Sequence, residues 1–160
     1  MGQVELSFVL PAYNEEGSIE GSLLLLERVV RAAGISYEVV VVDDGSVDET
    51  ALRAVNYASR NGHVRVVTYR RNVGKGYAVR TGFARACGDA VVFVDSDLEV
   101  DLGRVASYVK ALERGDIVIA SKWHPDSVVD MPLVRKFLGI GFHVLVRLLT
   151  GVKLKDTQAG

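Results

Sequence analysis

Short apolar runs and longer amphipathic stretches alternate through the first 120 residues. Residues 4–10 form an apolar run with few polar breaks, stopped by Pro11. A strand covered on both faces has this pattern. The next stretch predicts a helix to about Ala33, with Asn14 as its cap, Glu15 and Glu16 in its first turn, and Gly34 as its stop. Residues 38–42 predict a second buried strand, ended by Asp43-Asp44-Gly45-Ser46. Ser46 or Asp48 can cap a helix from about Glu49 to Arg60, which Asn61-Gly62 closes.

The alternation continues. Residues 64–69 read as a third strand, 72–76 as a Gly-containing loop, and the following residues to about Ala86 as a helix closed by Cys87-Gly88. Residues 90–94 predict a fourth strand, 101–114 a helix and 116–120 a fifth strand. Residues 122–131 are polar, contain Pro125 and read as a loop. Residues 132–150 predict one more helix, with Pro132 suited to its first turn. Strand–helix alternation gives an α/β fold: a mostly parallel central sheet with helices on both faces. In such open sheets ligands bind beyond the carboxyl ends of the strands, and the polar motifs of this chain follow strand ends.

Length and charge refine this picture. With 160 residues, about half of them apolar, the chain suits a single domain with a buried core. A net charge of −1 gives no general argument for nucleic acid. The charge is unevenly placed: residues 1–120 carry 13 basic and 17 acidic side chains, residues 121–160 six basic and three acidic. The C-terminal part is therefore suited to an anionic partner. The single cysteine, Cys87, excludes an internal disulfide and reads as a small buried helix residue in a reducing compartment. There is no signal-peptide pattern and no run of 18 apolar residues. The chain stops at Asp156-Thr157-Gln158-Ala159-Gly160 without a closing helix, so a truncated C-terminus is expected.

Asp95-Ser96-Asp97 follows the apolar run 91–94. Two carboxylates one residue apart repel, and a hard divalent cation such as Mg²⁺ or Mn²⁺ removes that penalty. Such ions complete their shells with waters and substrate phosphates. The competing reading is a solvated acidic turn. Asp43-Asp44-Gly45-Ser46 places carboxylates where they can accept from a base or ribose, and also suits a helix-capping turn. Asn72-Val73-Gly74-Lys75-Gly76 lacks the spacing of a phosphate loop and of a dinucleotide fingerprint. It retains a Gly-rich helix start with Lys75 to meet an anion, or it is a plain loop. Pro11-Ala12-Tyr13-Asn14-Glu15-Glu16 offers a ring and carboxylates at the first strand end. Residues 132–150 are very apolar but interrupted by Arg135, Lys136, His143 and Arg147. That suits a helix at a membrane interface, or one buried against the sheet or a dimer partner. His63, His124 and His143 have no metal spacing, and His63 reads as a surface turn residue.

Taken together these motifs resemble glycosyltransferase family 2. Pro11-Ala12-Tyr13-Asn14-Glu15 looks like its opening motif, and Asp43-Asp44-Gly45-Ser46 like its second. Asn72-x-Gly74-Lys75-Gly76 with Gly82 looks like its third region, and Asp95-Ser96-Asp97 falls at its metal-binding Asp-x-Asp. A narrower resemblance, to the dolichyl- or polyprenyl-phosphate sugar synthases, rests on Ala120-Ser121-Lys122, Arg135, Gly141-Phe142-His143 and Asp156-Thr157-Gln158. The last two pieces look most like the glucosyltransferase branch, with the mannosyltransferase branch close. Lys122 departs from the usual Arg and loses bidentate phosphate geometry.

The resemblance implies a GT-A type nucleotide-binding fold and inverting transfer of a hexose from UDP-glucose or GDP-mannose to a polyprenyl phosphate. It implies a donor site of Pro11, Ala12, Tyr13, Glu15, Asp43, Asp44, Lys75, Asp95 and Ser96. Asp95 and Asp97, helped by Glu99, would hold Mg²⁺ or Mn²⁺. Lys122 and Arg135 would bind the acceptor phosphate, which makes Asp95, Asp97 and Arg135 the catalytic set. The implied location is peripheral, at the cytoplasmic face of a membrane. Two alternatives stand beside it: a nucleotide-sugar-binding or membrane-docking module without transfer, and a haloacid-dehalogenase-like phosphatase, whose Asp-x-Asp also follows a strand.

Overall fold

The structure, a computed structural model, describes residues 4–96, 102–119, 142, 146 and 148–151. It has two compact units, residues 1–116 and 117–160. In the first, strands β1 (Leu6–Ala12), β2 (Tyr37–Asp43), β3 (Val64–Thr68) and β4 (Ala90–Phe93) alternate with helices α1 (Ile19–Ala32), α2 (Thr50–Ser59) and α3 (Lys75–Arg85). Helix α4 (Val105–Ala111) follows, flanked by the 3₁₀ turns Leu102–Arg104 and Leu112–Arg114.

All the strand pairings are parallel, in the order β3-β2-β1-β4. Leu6 lies opposite both Tyr37 and Ala90, and Ala12 opposite Asp43, which lies opposite Thr68. The carboxyl ends of the strands therefore share one sheet edge. The chain steps outward from β1 to β2 and β3, then returns to the other side of β1 as β4. That reversal leaves a crevice between the ends of β1 and β4, where doubly wound sheets take their ligands.

Every residue of β1 and β2 is buried, as their largely apolar runs predict. Leu6, Phe8, Leu10, Val39 and Val41 pack with Ile19, Leu23, Leu26 and Val30 of α1, Ala54 of α2 and Val105 of α4. Val40 and Val42 face the other way, onto Ala78 of α3. Helices thus cover both faces, as the sequence predicts. Each fully buried side chain of this size contributes about 1.5–3 kcal/mol.

Gly82 sets how closely α3 lies on β1, because a Cβ there would collide with Cγ1 of Val9. Both partners sit in regular elements and cannot step aside. Gly82→Ala is expected to cost about 1–3 kcal/mol in urea unfolding. An unchanged unfolding midpoint would contradict this packing.

Two buried carboxylates lock the fold away from the ligand edge. Glu38 accepts from Ser7 Oγ, from the Cys87 amide and, at 2.6 Å, from Arg65 Nη2. Burial pushes its pKa up, but these donors outweigh burial and hold it below the usual carboxylate value. Glu27 accepts from the hydroxyls of Tyr37 and Tyr57 and from Asn61. Burial and the Glu27 charge push the Tyr57 phenol up to about 12.

Three local expectations are corrected. Residues 116–119 form no strand, and Ile117 is 82% exposed. An apolar run becomes a strand only where an adjacent edge accepts its hydrogen bonds. Helix α1 begins at Ile19, not directly after Asn14, because Asn14 adopts a left-handed conformation (φ 56°) and turns the chain. Cys87 is exposed, since α3 ends at Arg85 and the chain is already turning toward β4. Gly34 takes the positive φ expected of a helix stop, and His63 is an exposed turn residue stacked on Tyr37.

In the second unit residues 148–150 are helical, within the helix predicted for 132–150. The rest of that helix lies outside the described residues, apart from Phe142 and Val146, which are also helical. Among the described residues no helix is long and apolar enough to cross a membrane.

Candidate functional site

Four loops meet at the carboxyl edge of the sheet, and side chain to backbone hydrogen bonds tie three of them together. The β1 loop and the β2 loop are joined like a zip. The Asn14 amide donates to Ser46 Oγ at 2.9 Å, and the Val47 amide donates to Asn14 Oδ1 at 3.0 Å. The amides of Glu15 and Glu16 donate to Thr50 Oγ1 and Asp48 Oδ2 at 2.7 and 3.2 Å, and that of Glu49 donates to Glu16 Oε2 at 3.0 Å. Asp48 also takes the Thr50 amide at 3.0 Å just before α2, whose cap position is Glu49 rather than the predicted Ser46 or Asp48. Burial works to raise the Asp48 pKa, but the hydroxyl and amide of Thr50 and the Glu16 amide hold it below the usual carboxylate value.

The β3 loop is held by Asp44. Its carboxylate, 3% exposed, accepts from the amides of Val73 at 2.9 Å and Gly74 at 2.7 Å. Gly45 lets the loops touch: it has a φ of 71°, and a Cβ would lie 2.5 Å from the Asn72 nitrogen. No L side chain fits there. The fourth loop is fixed from α1, where Ser22 Oγ donates to the Ser96 carbonyl.

Between these loops lies a cleft of about 380 Å³, lined by Pro11, Ala12, Tyr13, Glu15, Asp44, Asn72, Gly74, Lys75, Ala78, Asp95 and Ser96. Its size is in the range of small-molecule sites, roughly 300–1,000 Å³. Of the residues expected to hold a donor, all but Asp43 line it. Asp43 is 2% exposed, and its Oδ1 accepts from the Ser46 amide at 3.4 Å. Glu15 is partly engaged as well, by the Ser18 hydroxyl. Tyr13 is 46% exposed. Asn72, Gly74 and Ala78 line the cleft without having been singled out as donor contacts. A second groove, of about 450 Å³ beside Tyr57 and Arg60, contains none of the motif residues.

Lys75 and Asp95 meet in the cleft. Lys75 Nζ lies 2.5 Å from Asp95 Oδ1 and 5.3 Å from the centre of the Phe93 ring. Asp95 thus presents a carboxylate oxygen, paired with a cation, at the crevice mouth, and the chemistry of that oxygen fits a divalent metal. Among the described residues no three acidic, histidine or cysteine side chains cluster as a metal site. Asp97 and Glu99, the other expected ligands, lie outside the described residues, as do Lys122 and Arg135.

Comparison with known proteins gives this arrangement its family. Residues 7–153 match glycosyl transferase family 2. The chain belongs to that family. A phosphatase of the haloacid-dehalogenase type is thereby set aside. The family 2 chain is 36% identical over 172 residues to "Dolichyl-phosphate beta-glucosyltransferase ALG5D" of Trichomonas vaginalis, covering 99% of this chain and 52% of that protein. It is 37% identical over 158 residues to a dodecaprenyl-phosphate galacturonate synthase of Rhizobium johnstonii, covering 96% and 45%. The chain thus spans about half the length of these curated relatives. Among solved structures it is similar to the mannosyltransferase PcManGT of Pyrobaculum calidifontis in complex with GDP-Man and Mn²⁺. The TM-score is 0.60 at 29% identity, over 69% of this chain and 33% of that one. These similarities fit the α/β GT-A fold reached from the motifs.

Proposed function

We propose that the chain is the catalytic part of a metal-dependent enzyme that moves a hexose, with inversion, from a nucleoside diphosphate sugar to a polyprenyl or dolichyl phosphate. UDP-glucose and GDP-mannose are the candidate donors, glucose being favoured by the glucosyltransferase relative. The observation that carries this reading is the β1/β4 crevice, which gathers an exposed aromatic ring, the carboxylate of Asp95 and the ammonium of Lys75. A base, a metal and a diphosphate need these three kinds of partner.

Tyr13 and Pro11 would flank the base, and Glu15 would accept from base or ribose. Asp95 and Asp97, with Glu99, would hold the metal, which supplies positive charge to the departing diphosphate. Lys75 would add a second positive charge on the diphosphate. The acceptor phosphate oxygen attacks the anomeric carbon as the bond from that carbon to the diphosphate oxygen breaks. This nucleophile is ionised at neutral pH and needs no strong general base. Lys122 and Arg135 would hold the acceptor phosphate. Helix 132–150 would lie at the cytoplasmic face of the membrane that carries the acceptor.

Transfer of labelled hexose to a polyprenyl phosphate by the full natural protein tests the proposal. Label is expected in the lipid fraction only when a divalent metal is present. Donor binding without transfer would leave the alternative reading, a nucleotide-sugar-binding module.

A further inference from the structure

We infer that Lys75 is the resident cation of Asp95 in the donor-free protein and makes metal binding depend on the donor. The inference rests on the metal and diphosphate roles proposed above and adds an order of events to them. The ammonium lies 2.5 Å from Asp95 Oδ1 and is braced over the Phe93 ring. A divalent ion on that oxygen would bring two like charges within a few ångströms. Both cannot stay, so the metal must displace the lysine.

The geometry makes that exchange possible. Lys75 is the first residue of α3, and its side chain is 58% exposed. Its stem can therefore swing without repacking the core. The backbone at its root is fixed, because Asp44 holds the Val73 and Gly74 amides. Metal alone strips Lys75 of its ion pair with Asp95. Metal arriving with a nucleoside diphosphate gives the lysine a new anion, the diphosphate itself. Metal and nucleotide should accordingly promote each other's binding, by the same factor in both directions. The device would keep the cleft from trapping metal when no donor is present.

The test is the electron paramagnetic resonance signal of free Mn²⁺, titrated against the wild type, Lys75→Gln and Lys75→Arg, with and without UDP or GDP. Lys75→Gln is expected to bind Mn²⁺ roughly tenfold tighter than wild type without nucleotide, and to lose most of the nucleotide-induced gain. Lys75→Arg, which keeps the charge, should behave as wild type. Nucleotide-free Mn²⁺ affinity that is the same in Lys75→Gln and wild type, while nucleotide still promotes binding, would overturn the exchange and leave the donor site standing. Lys75→Arg matching Lys75→Gln would overturn it too. Absence of Mn²⁺ binding to wild type with either nucleotide would overturn the metal site, and the exchange with it.

Discussion

Asp95→Asn is expected to remove metal-promoted nucleotide binding and to lower hexose transfer on the order of 10³-fold, with the fold intact. The substitution keeps the size of the side chain and one oxygen but removes the charge. A hard divalent cation depends on that charge, because a neutral amide oxygen does not offset the loss of metal-bound water. The fold should tolerate the change. The Asp95 side chain is 24% exposed and its partner Lys75 58%, so the freed ammonium remains in water. Stability is expected to stay within about 0.5 kcal/mol of wild type in urea unfolding. Wild-type affinity for UDP or GDP in the presence of Mn²⁺ would show that Asp95 is not a metal ligand.

Asp44→Ala is expected to behave differently, losing stability and donor affinity together. Asp44 is buried and accepts two amides of the β3 loop. Truncation leaves the Val73 and Gly74 amides without that acceptor, at a cost of about 3 kcal/mol. The loop it releases carries Asn72, Gly74 and Lys75, all of which line the cleft. Nucleotide affinity should fall as well, because these residues no longer stand in place before the ligand arrives. Urea unfolding and nucleotide titration of the same variant separate two roles. A loss of affinity at unchanged stability would make Asp44 a direct ligand contact rather than a clip between loops.

The two substitutions mark what the sequence could and could not reveal. The apolar runs behind β1 and β2 are legible because both faces of these strands are buried, so no polar residue interrupts Val39 to Val42. The motif ends are legible for a related reason: each places polar residues where an apolar run stops, and parallel strands bring all such stops to one edge. Asp44 was visible as a strand-end carboxylate but not as a clip. Its partners are 29 and 30 residues away, and no local spacing encodes a contact of that range. The same holds for Lys75 and Asp95, which lie in different motifs.

Asn14 shows the opposite difficulty. It has the chemistry of a helix cap, yet its side chain is spent on the Val47 amide of the β2 loop. The β1 loop consequently runs on for a turn before α1 begins at Ile19. Residues 116–119 have strand propensity without forming a strand, as a run of Ile, Val and Ile has no structure of its own until an edge accepts it.

The central claim is that the β1/β4 crevice is a metal-dependent site for a nucleoside diphosphate sugar. Calorimetric titration of UDP-glucose and of GDP-mannose into the protein, once with Mn²⁺ and once with the metal chelated, tests it most directly. The account predicts that one of the two donors binds in Mn²⁺ and that chelation abolishes its heat. Binding of neither donor, or equal binding with and without metal, would contradict it.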